Sequence, residues 1–210
     1  MKILLCIFFD LLYHSFAWTY DLVSWIVSGG RWNNWVRSVM RLIDGENILE
    51  LGCGTGTLQA GLLSAGYQTF AIDESRQMLR IVARRLAAKF PSYNYRLVRA
   101  RAESIPLPAD SIDTLVATFP SEYITHPETL TECRRVLEPG GKFIILLGVQ
   151  IEGKGIYDGF LRLLYAITGQ KTPDISVLEK NLQGMSVYGF TARTEVIYYQ
   201  QDRLTIIIAE

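Results

Sequence analysis

An α/β fold, with a mostly parallel sheet covered by helices on both faces, is predicted by three observations. Residues 47–57, Asn47-Ile48-Leu49-Glu50-Leu51-Gly52-Cys53-Gly54-Thr55-Gly56-Thr57, read as a short buried strand that runs into a glycine-rich turn and opens a helix. Strand-like and helix-like patterns then alternate regularly as far as residue 149. Finally, an acid, Asp73, ends the second strand about twenty residues after the glycines.

The chain starts with Lys2 and an apolar run, Ile3 to Phe9, closed by Asp10. This is like the start of a signal peptide, but no small-residue cleavage site follows and the run is too short to span a bilayer. The segment is expected to pack on its own domain, or to lie on a membrane surface or at a dimer interface. Tyr20-Asp21 follows, and Gly29-Gly30 ends this helical stretch. Residues 32–42 predict another helix, with Trp32, Trp35, Val36, Val39 and Met40 on one stripe. Four tryptophans between positions 18 and 35 supply either core or an apolar pocket.

Strand 47–52 leads to the glycine loop and to a helix over 57–65 with Leu58, Leu62 and Leu63 inward. Glycines at 52, 54 and 56 let backbone approach a ligand closely, and the helix adds the positive end of its dipole. A dinucleotide loop wants G-x-G-x-x-G/A, whereas here position 57 is Thr and the third glycine comes early. The Gly-Lys-Ser/Thr of a phosphate loop is absent. Glu50 would repel a pyrophosphate and suits an ammonium or sulfonium ligand.

Strand 67–72 ends at Asp73, whose carboxylate can accept both hydroxyls of a ribose or cap the helix over 75–89. That helix buries Met78, Leu79, Val82 and Leu86 and exposes Arg76, Arg80 and Arg84, a solvated face or a patch for anionic headgroups. Strand 94–99, a loop over 101–111, strand 112–118, helix 127–137 and strand 142–149 complete the alternation. Residues 151–170 hold an apolar helix, 178–189 a short helix and loop, and 194–199 and 204–209 two strands joined by a polar turn at 200–203.

Four blocks in order carry a resemblance: Glu50-Leu51-Gly52-Cys53-Gly54-Thr55-Gly56; Ala71-Ile72-Asp73-Glu74 through Leu79; Ala102-Glu103-Ser104-Ile105-Pro106-Leu107-Pro108 through Asp113; and Arg135-Val136-Leu137-Glu138-Pro139-Gly140-Gly141-Lys142-Phe143. Over residues 45–150 the chain resembles class I S-adenosylmethionine (SAM) dependent methyltransferases, and within them the small-molecule group typified by the ubiquinone and menaquinone C-methyltransferases. The resemblance implies a Rossmann-like, seven-stranded, mostly parallel sheet whose last strand pair contains one antiparallel strand. It implies one domain, with residues 1–44 as a helical lid, 45–150 as the SAM-binding core and 151–210 as an acceptor-side insertion with the C-terminal strands.

It also implies site residues. Gly52, Cys53, Gly54 and Gly56 would face the methionine part of the cofactor, Glu50 its ammonium, and Asp73 with Glu74 its ribose. Met78 would pack on the adenine or belong to the core. Ala102 and Glu103 would border the adenine, Phe119 the methyl group, and Tyr20 would help to close the pocket. Where the family commonly has an acid to accept from the adenine amino group, this chain has Arg101, which offers no acceptor. Phe119-Pro120-Ser121-Glu122-Tyr123 replaces the Asn/Asp-Pro-Pro-Tyr/Phe of enzymes that methylate exocyclic base amines. A base is needed only if the acceptor loses a proton, and His14, Tyr123 and His126 are the catalytic candidates, with Glu122 beside them.

Composition bounds the rest. With 21 basic and 21 acidic residues the formal charge is zero, which gives no overall attraction to nucleic acid. Three distant cysteines and two histidines argue against a disulfide framework and a metal centre, and fit a cytoplasmic protein, with membrane association through the apolar N-terminus as the open variant. The expected activity is methyl transfer from SAM, leaving S-adenosylhomocysteine (SAH), to a small apolar acceptor. The alternatives are a non-catalytic SAM- or SAH-binding protein and a nicotinamide-dependent oxidoreductase.

Overall fold

The computed structural model describes residues 20–91, 96–168 and 183–210. The expectations for the apolar start, His14 and the first tryptophan therefore lie outside the described residues. Seven strands form one sheet in the order β3-β2-β1-β4-β5-β7-β6. They are β1 (Asn47–Leu51), β2 (Gln68–Asp73), β3 (Arg96–Arg99), β4 (Ile112–Thr118), β5 (Leu137–Ile151), β6 (Ala192–Tyr199) and β7 (Asp202–Ala209). The first five run parallel; β7 is antiparallel to both β5 and β6. The sheet is thus the expected one, and the strand order reverses direction between β1 and β4.

Alternation along β1 fixes what lies on each side. Ile48 points to the face covered by α2 (Trp32–Arg37) and α3 (Thr57–Ser64), where Trp35, Leu58 and Leu62 meet Val116, Ile144 and Ile206. Leu49 and Leu51 point to the other face, covered by α5 (Pro127–Val136) through Leu130, Cys133 and Val136. On the first face α4 (Arg76–Lys89) packs Val82 and Leu86 against Ala60 and Leu63 of α3. Before the sheet comes α1 (Tyr20–Ser28), and after β5 comes α6 (Ile156–Thr168). No helix among the described residues is long and apolar enough to cross a membrane.

Three boundaries differ from expectation, each for a local reason. The helix predicted over 32–42 is α-helical only to Arg37 and then tightens to a 3-10 turn, Ser38–Leu42. There the Ser38 hydroxyl donates to Trp35 O at 2.6 Å, a back-bond that favours such tightening. β5 begins at Leu137, five residues before the predicted start, because Leu137 pairs with Ile112 before the register shifts and Lys142 pairs with Thr114. The Pro139-Gly140-Gly141 run sits in this irregularity. The last hairpin turns on only Gln200 and Gln201, and the strands extend to Tyr199 and Asp202. Gln200 takes φ of 54°, a conformation costly for a residue with a Cβ, which polar composition alone did not announce.

Much of the insertion expected over the acceptor side, residues 164–182, lies outside the described side chains. Among the described side chains, none of 151–163 or 183–189 lines the main cavity. Instead α6 buries Leu161 in the α2 face, while Met185 and Phe190 join the core under α5.

Candidate active site

The C-terminal ends of β1, β2 and β4 meet at the reversal of strand order and open into a cavity of about 280 Å³. The glycine loop forms its floor and is tied to β2: Gly52 N and Cys53 N both donate to Ile72 O, at 2.8 and 3.2 Å. Asp73 holds the loop from the side. Its Oδ2 accepts from Gly54 N at 2.9 Å and its Oδ1 from Ser75 N at 2.8 Å. The cap of α4 is Ser75, whose side chain accepts from Met78 N, so Asp73 is not used as a helix cap. Its carboxylate lines the cavity.

Two glycines explain the loop. Gly54, at φ of 52°, would place a Cβ in open space, so the loop presents bare backbone to the cavity. Gly56, at φ of 82°, would drive a Cβ into the Val82 side chain, so it is needed for packing between the loop and α4. Gly56 does not line the cavity, and neither does Met78, which is fully buried on the α4 stripe. In the structure the first residue lets the loop close against α4, and the second packs in the core.

Glu50, the penultimate residue of β1, is on the same face as Ile48, buried beneath the loop. Its Oε2 accepts from Gln59 Nε2 at 2.9 Å, and α3 covers it. Burial pushes its pKa up to about 8; the Gln59 bond pulls the other way, and the neighbouring Asp73 charge adds to the rise. The Cys53 thiol beside it is raised well above its usual value by burial first and then by the Glu50 and Asp73 charges, so it stays protonated. Gln59 is a residue that sequence reasoning missed, since one glutamine on an apolar helix stripe carries no motif.

The roof comes from the N-terminal helices. Tyr20, Trp32 and Val36 line the cavity, and Trp32 stacks on Phe119 with centroids 4.5 Å apart and planes at 29°. Tyr20 meets Trp32 edge-on at 6.1 Å. Phe119 sits just past β4 with φ of 50°, an unusual conformation for an aromatic residue that aims its ring at Trp32. Polar contacts latch this roof to the loop: the Thr55 hydroxyl donates to Asp21 Oδ1 at 2.7 Å, Arg85 pairs with Asp21, and Arg85 also donates to Thr55 O at 2.8 Å.

At the rim stand Glu74, Arg101, Ala102, Glu103, Tyr123 and His126. Arg101 reaches both acids, 3.8 Å from Glu74 and 3.6 Å from Glu103. His126 Nδ1 lies 3.5 Å from Glu103 Oε1. The Tyr123 hydroxyl stands 2.9 Å from where a Cβ on Gly52 would be, over the glycine loop. Glu122 is exposed and does not line the cavity, and His14 lies outside the described residues.

Comparison with known proteins gives this cavity its context. Residues 48–141 match the family model of the methyltransferase domain. The ubiquinone/menaquinone biosynthesis C-methyltransferase UbiE of Ectopseudomonas mendocina is 32% identical over 141 residues, which are 64% of this chain and 55% of that protein. Residues 48–141 are thus similar to a methyltransferase domain. The chain spans about half the length of the curated relatives it matches, 55% in that case. Among solved structures, a candidate SAM-dependent methyltransferase of Methanococcus maripaludis superposes with a TM-score of 0.67 at 19% identity, covering 91% of this chain and 90% of that one. Haemonchus contortus phosphoethanolamine N-methyltransferase 2, in complex with phosphomonomethylethanolamine and SAH, superposes at 0.61 with 15% identity, covering 86% and 52%. At these identities the structural likeness speaks for the fold.

SAM is the cofactor of this domain family, and the residues present fit it. Bare backbone at Gly54, the Asp73 carboxylate and the buried Glu50 make a floor with two acids, while Arg101 stands at the rim between Glu74 and Glu103. Such a floor favours a ribose and a cationic amino-acid moiety over a pyrophosphate. The buried Glu50 acid beneath the loop disfavours the dinucleotide of the oxidoreductase alternative.

Proposed function

We propose that this protein transfers a methyl group from SAM to a small, apolar, ring-bearing acceptor. The carrying observation is the joining of two chemistries in one cavity, the Gly54–Asp73–Glu50 floor and the Trp32–Phe119 wall. Bound on that floor, SAM supplies an activated sulfonium methyl. Asp73 holds the ribose hydroxyls, Glu50 answers the ammonium, and the backbone of the loop lies along the methionine part. Trp32 and Phe119 position a flat apolar acceptor and exclude water, so that proximity and orientation supply most of the rate. The helices α1 and α2 act as the lid over a core of residues 45–150. The acceptor carbon, oxygen or nitrogen takes the methyl as the C–S bond breaks and its electron pair returns to sulfur. An acceptor that must shed a proton gives it to Tyr123 or to His126, which Glu103 orients. Kinship with UbiE favours a quinol-like ring as acceptor and a carbon as its methylated atom.

Labelled SAM with a panel of phenolic and quinol acceptors tests this directly. Label transfer is expected with apolar rings, and Trp32→Ala is expected to raise the acceptor KM by tenfold or more while SAH affinity holds within about threefold. Tight SAH binding with no transfer to any acceptor would favour the non-catalytic binder.

The Glu50 proton gives a second expectation. A ligand ammonium binds the ionised carboxylate, and in the free protein that form is scarce below a pKa of about 8. SAH affinity should therefore rise by up to about tenfold per pH unit between pH 6 and 8, then level off. Glu50→Gln should bind more weakly and without this slope. A flat wild-type profile over that range would remove Glu50 as the ammonium partner.

A further inference from the structure

We infer that α1 and α6 together form a face that docks on an anionic phospholipid surface. α1 is inverted for a helix packed on a globular core. It buries Ser24 and Ser28 and turns Leu22, Trp25 and Ile26 outward, with Trp25 60% exposed. The serine hydroxyls on the inner side bond to the helix itself, Ser24 to Asp21 O at 3.0 Å and Ser28 to Trp25 O at 3.4 Å. Nothing about core packing asks for this arrangement.

α6 abuts α1 and does the same. The Tyr157 hydroxyl donates to Ile26 O at 2.7 Å, and its ring fills the space above Gly29. Leu161 is buried, while Tyr157, Phe160 and Leu163 face outward and Ile156, at the start of the helix, is 99% exposed. Two abutting helices that each present apolar side chains make one patch, not scattered exposure.

Charge at the borders selects the occupant. The acids there are neutralised: Asp21 pairs with Arg85 and Asp158 with Arg31. Arg37 and Lys89, in contrast, have no ion-pair partner among the described residues, and they line a cleft whose walls include Leu22 and Trp25. On the α6 side Lys154 and Arg162 are exposed beside Glu152, while Asp158 is paired with Arg31. Amphipathic Trp and Tyr rings beside unpaired cations match the boundary between acyl chains and anionic headgroups. A second copy would bring the same excess of cations to the contact. Trp32 and Thr57 line both this cleft and the active-site cavity, so docking would set a lipid-dissolved molecule beside the site. The inference rests on the face alone and does not require the acceptor proposed above.

Flotation of the full chain with vesicles tests it, using phosphatidylcholine alone and an equal mixture of phosphatidylcholine and phosphatidylglycerol. Binding is expected to the mixed vesicles, with weak retention on the neutral ones, and high salt should weaken it by about tenfold or more. The double variants Trp25→Ser/Phe160→Ser and Arg37→Glu/Lys89→Glu should each lose binding by about tenfold or more while keeping wild-type melting and SAH affinity. Absence of wild-type binding would overturn the inference. So would binding that both variants retain, which would place it elsewhere, for example in the apolar residues 3–9. A wild-type dimer that the first variant splits would show the face to be a self-contact instead.

Discussion

Asp202→Ala is expected to cost about 2–3 kcal/mol of stability in urea unfolding, because it strips the acceptor from a buried indole N–H and one partner from Arg31. Asp202 is the first residue of β7 and is fully buried. Its Oδ2 accepts from the Trp35 indole N–H at 2.9 Å and its Oδ1 lies 3.1 Å from the Arg31 guanidinium. Arg31 continues to Asp158 of α6 at 2.8 Å, donates to Ser28 O at 2.9 Å, and lies over the Trp35 ring. One carboxylate thus ties α1, α2 and α6 to the sheet. Burial raises its pKa more than Arg31 and Trp35 lower it. The folded state therefore holds this proton more tightly than the unfolded chain. The contribution of this group is greatest below the ordinary carboxylate range and is lost as pH rises through the raised folded value. Removing Asp202 leaves the buried Trp35 N–H without its acceptor and takes from Arg31 one of its two carboxylates, Asp158 remaining. Asp202→Asn, which keeps an acceptor, should cost less than half as much. A loss under 1 kcal/mol in Asp202→Ala would show that the Arg31 and Trp35 donors find other partners.

Much of this was legible in the sequence, and the parts that were not have physical reasons. The sheet, the glycine loop and Asp73 could be read because each depends on local rules: alternation along a strand, backbone approach at Gly54, and an acid at a strand end. Cavity lining by Glu50, Asp73, Phe119 and Tyr123 followed from the same blocks. Met78 and Gly56 lie in those blocks too, but the stripe of α4 and the Val82 contact take them into packing, a distinction no linear motif carries. Trp32 and Trp35 look alike in sequence. Three residues apart on α2, one enters the cavity and the other reaches a carboxylate across the sheet, and that choice is made by the partners Phe119 and Asp202. The outward apolar side of α1 was hidden for a related reason. Its composition reads as an ordinary amphipathic helix, and only the contact with α6 shows which side is inside.

The central claim is the cofactor site, and Asp73 carries the largest expected effect on it. In the free protein this carboxylate already holds Gly54 N and Ser75 N, so it arranges the loop as well as receiving the ribose. Losing a charged acceptor for two hydroxyls costs about 3 kcal/mol or more, a hundredfold or greater loss of affinity. Asp73→Asn, which retains one acceptor oxygen, should fall between. The measurement to make is calorimetric titration of SAH into the wild type, Asp73→Asn and Asp73→Ala, with melting curves to confirm that the variants fold. The wild type is expected to bind at micromolar concentrations, with a graded loss across the variants and a drop of at least about a hundredfold in Asp73→Ala. No binding by the wild type, or equal binding by a folded Asp73→Ala, would contradict that claim.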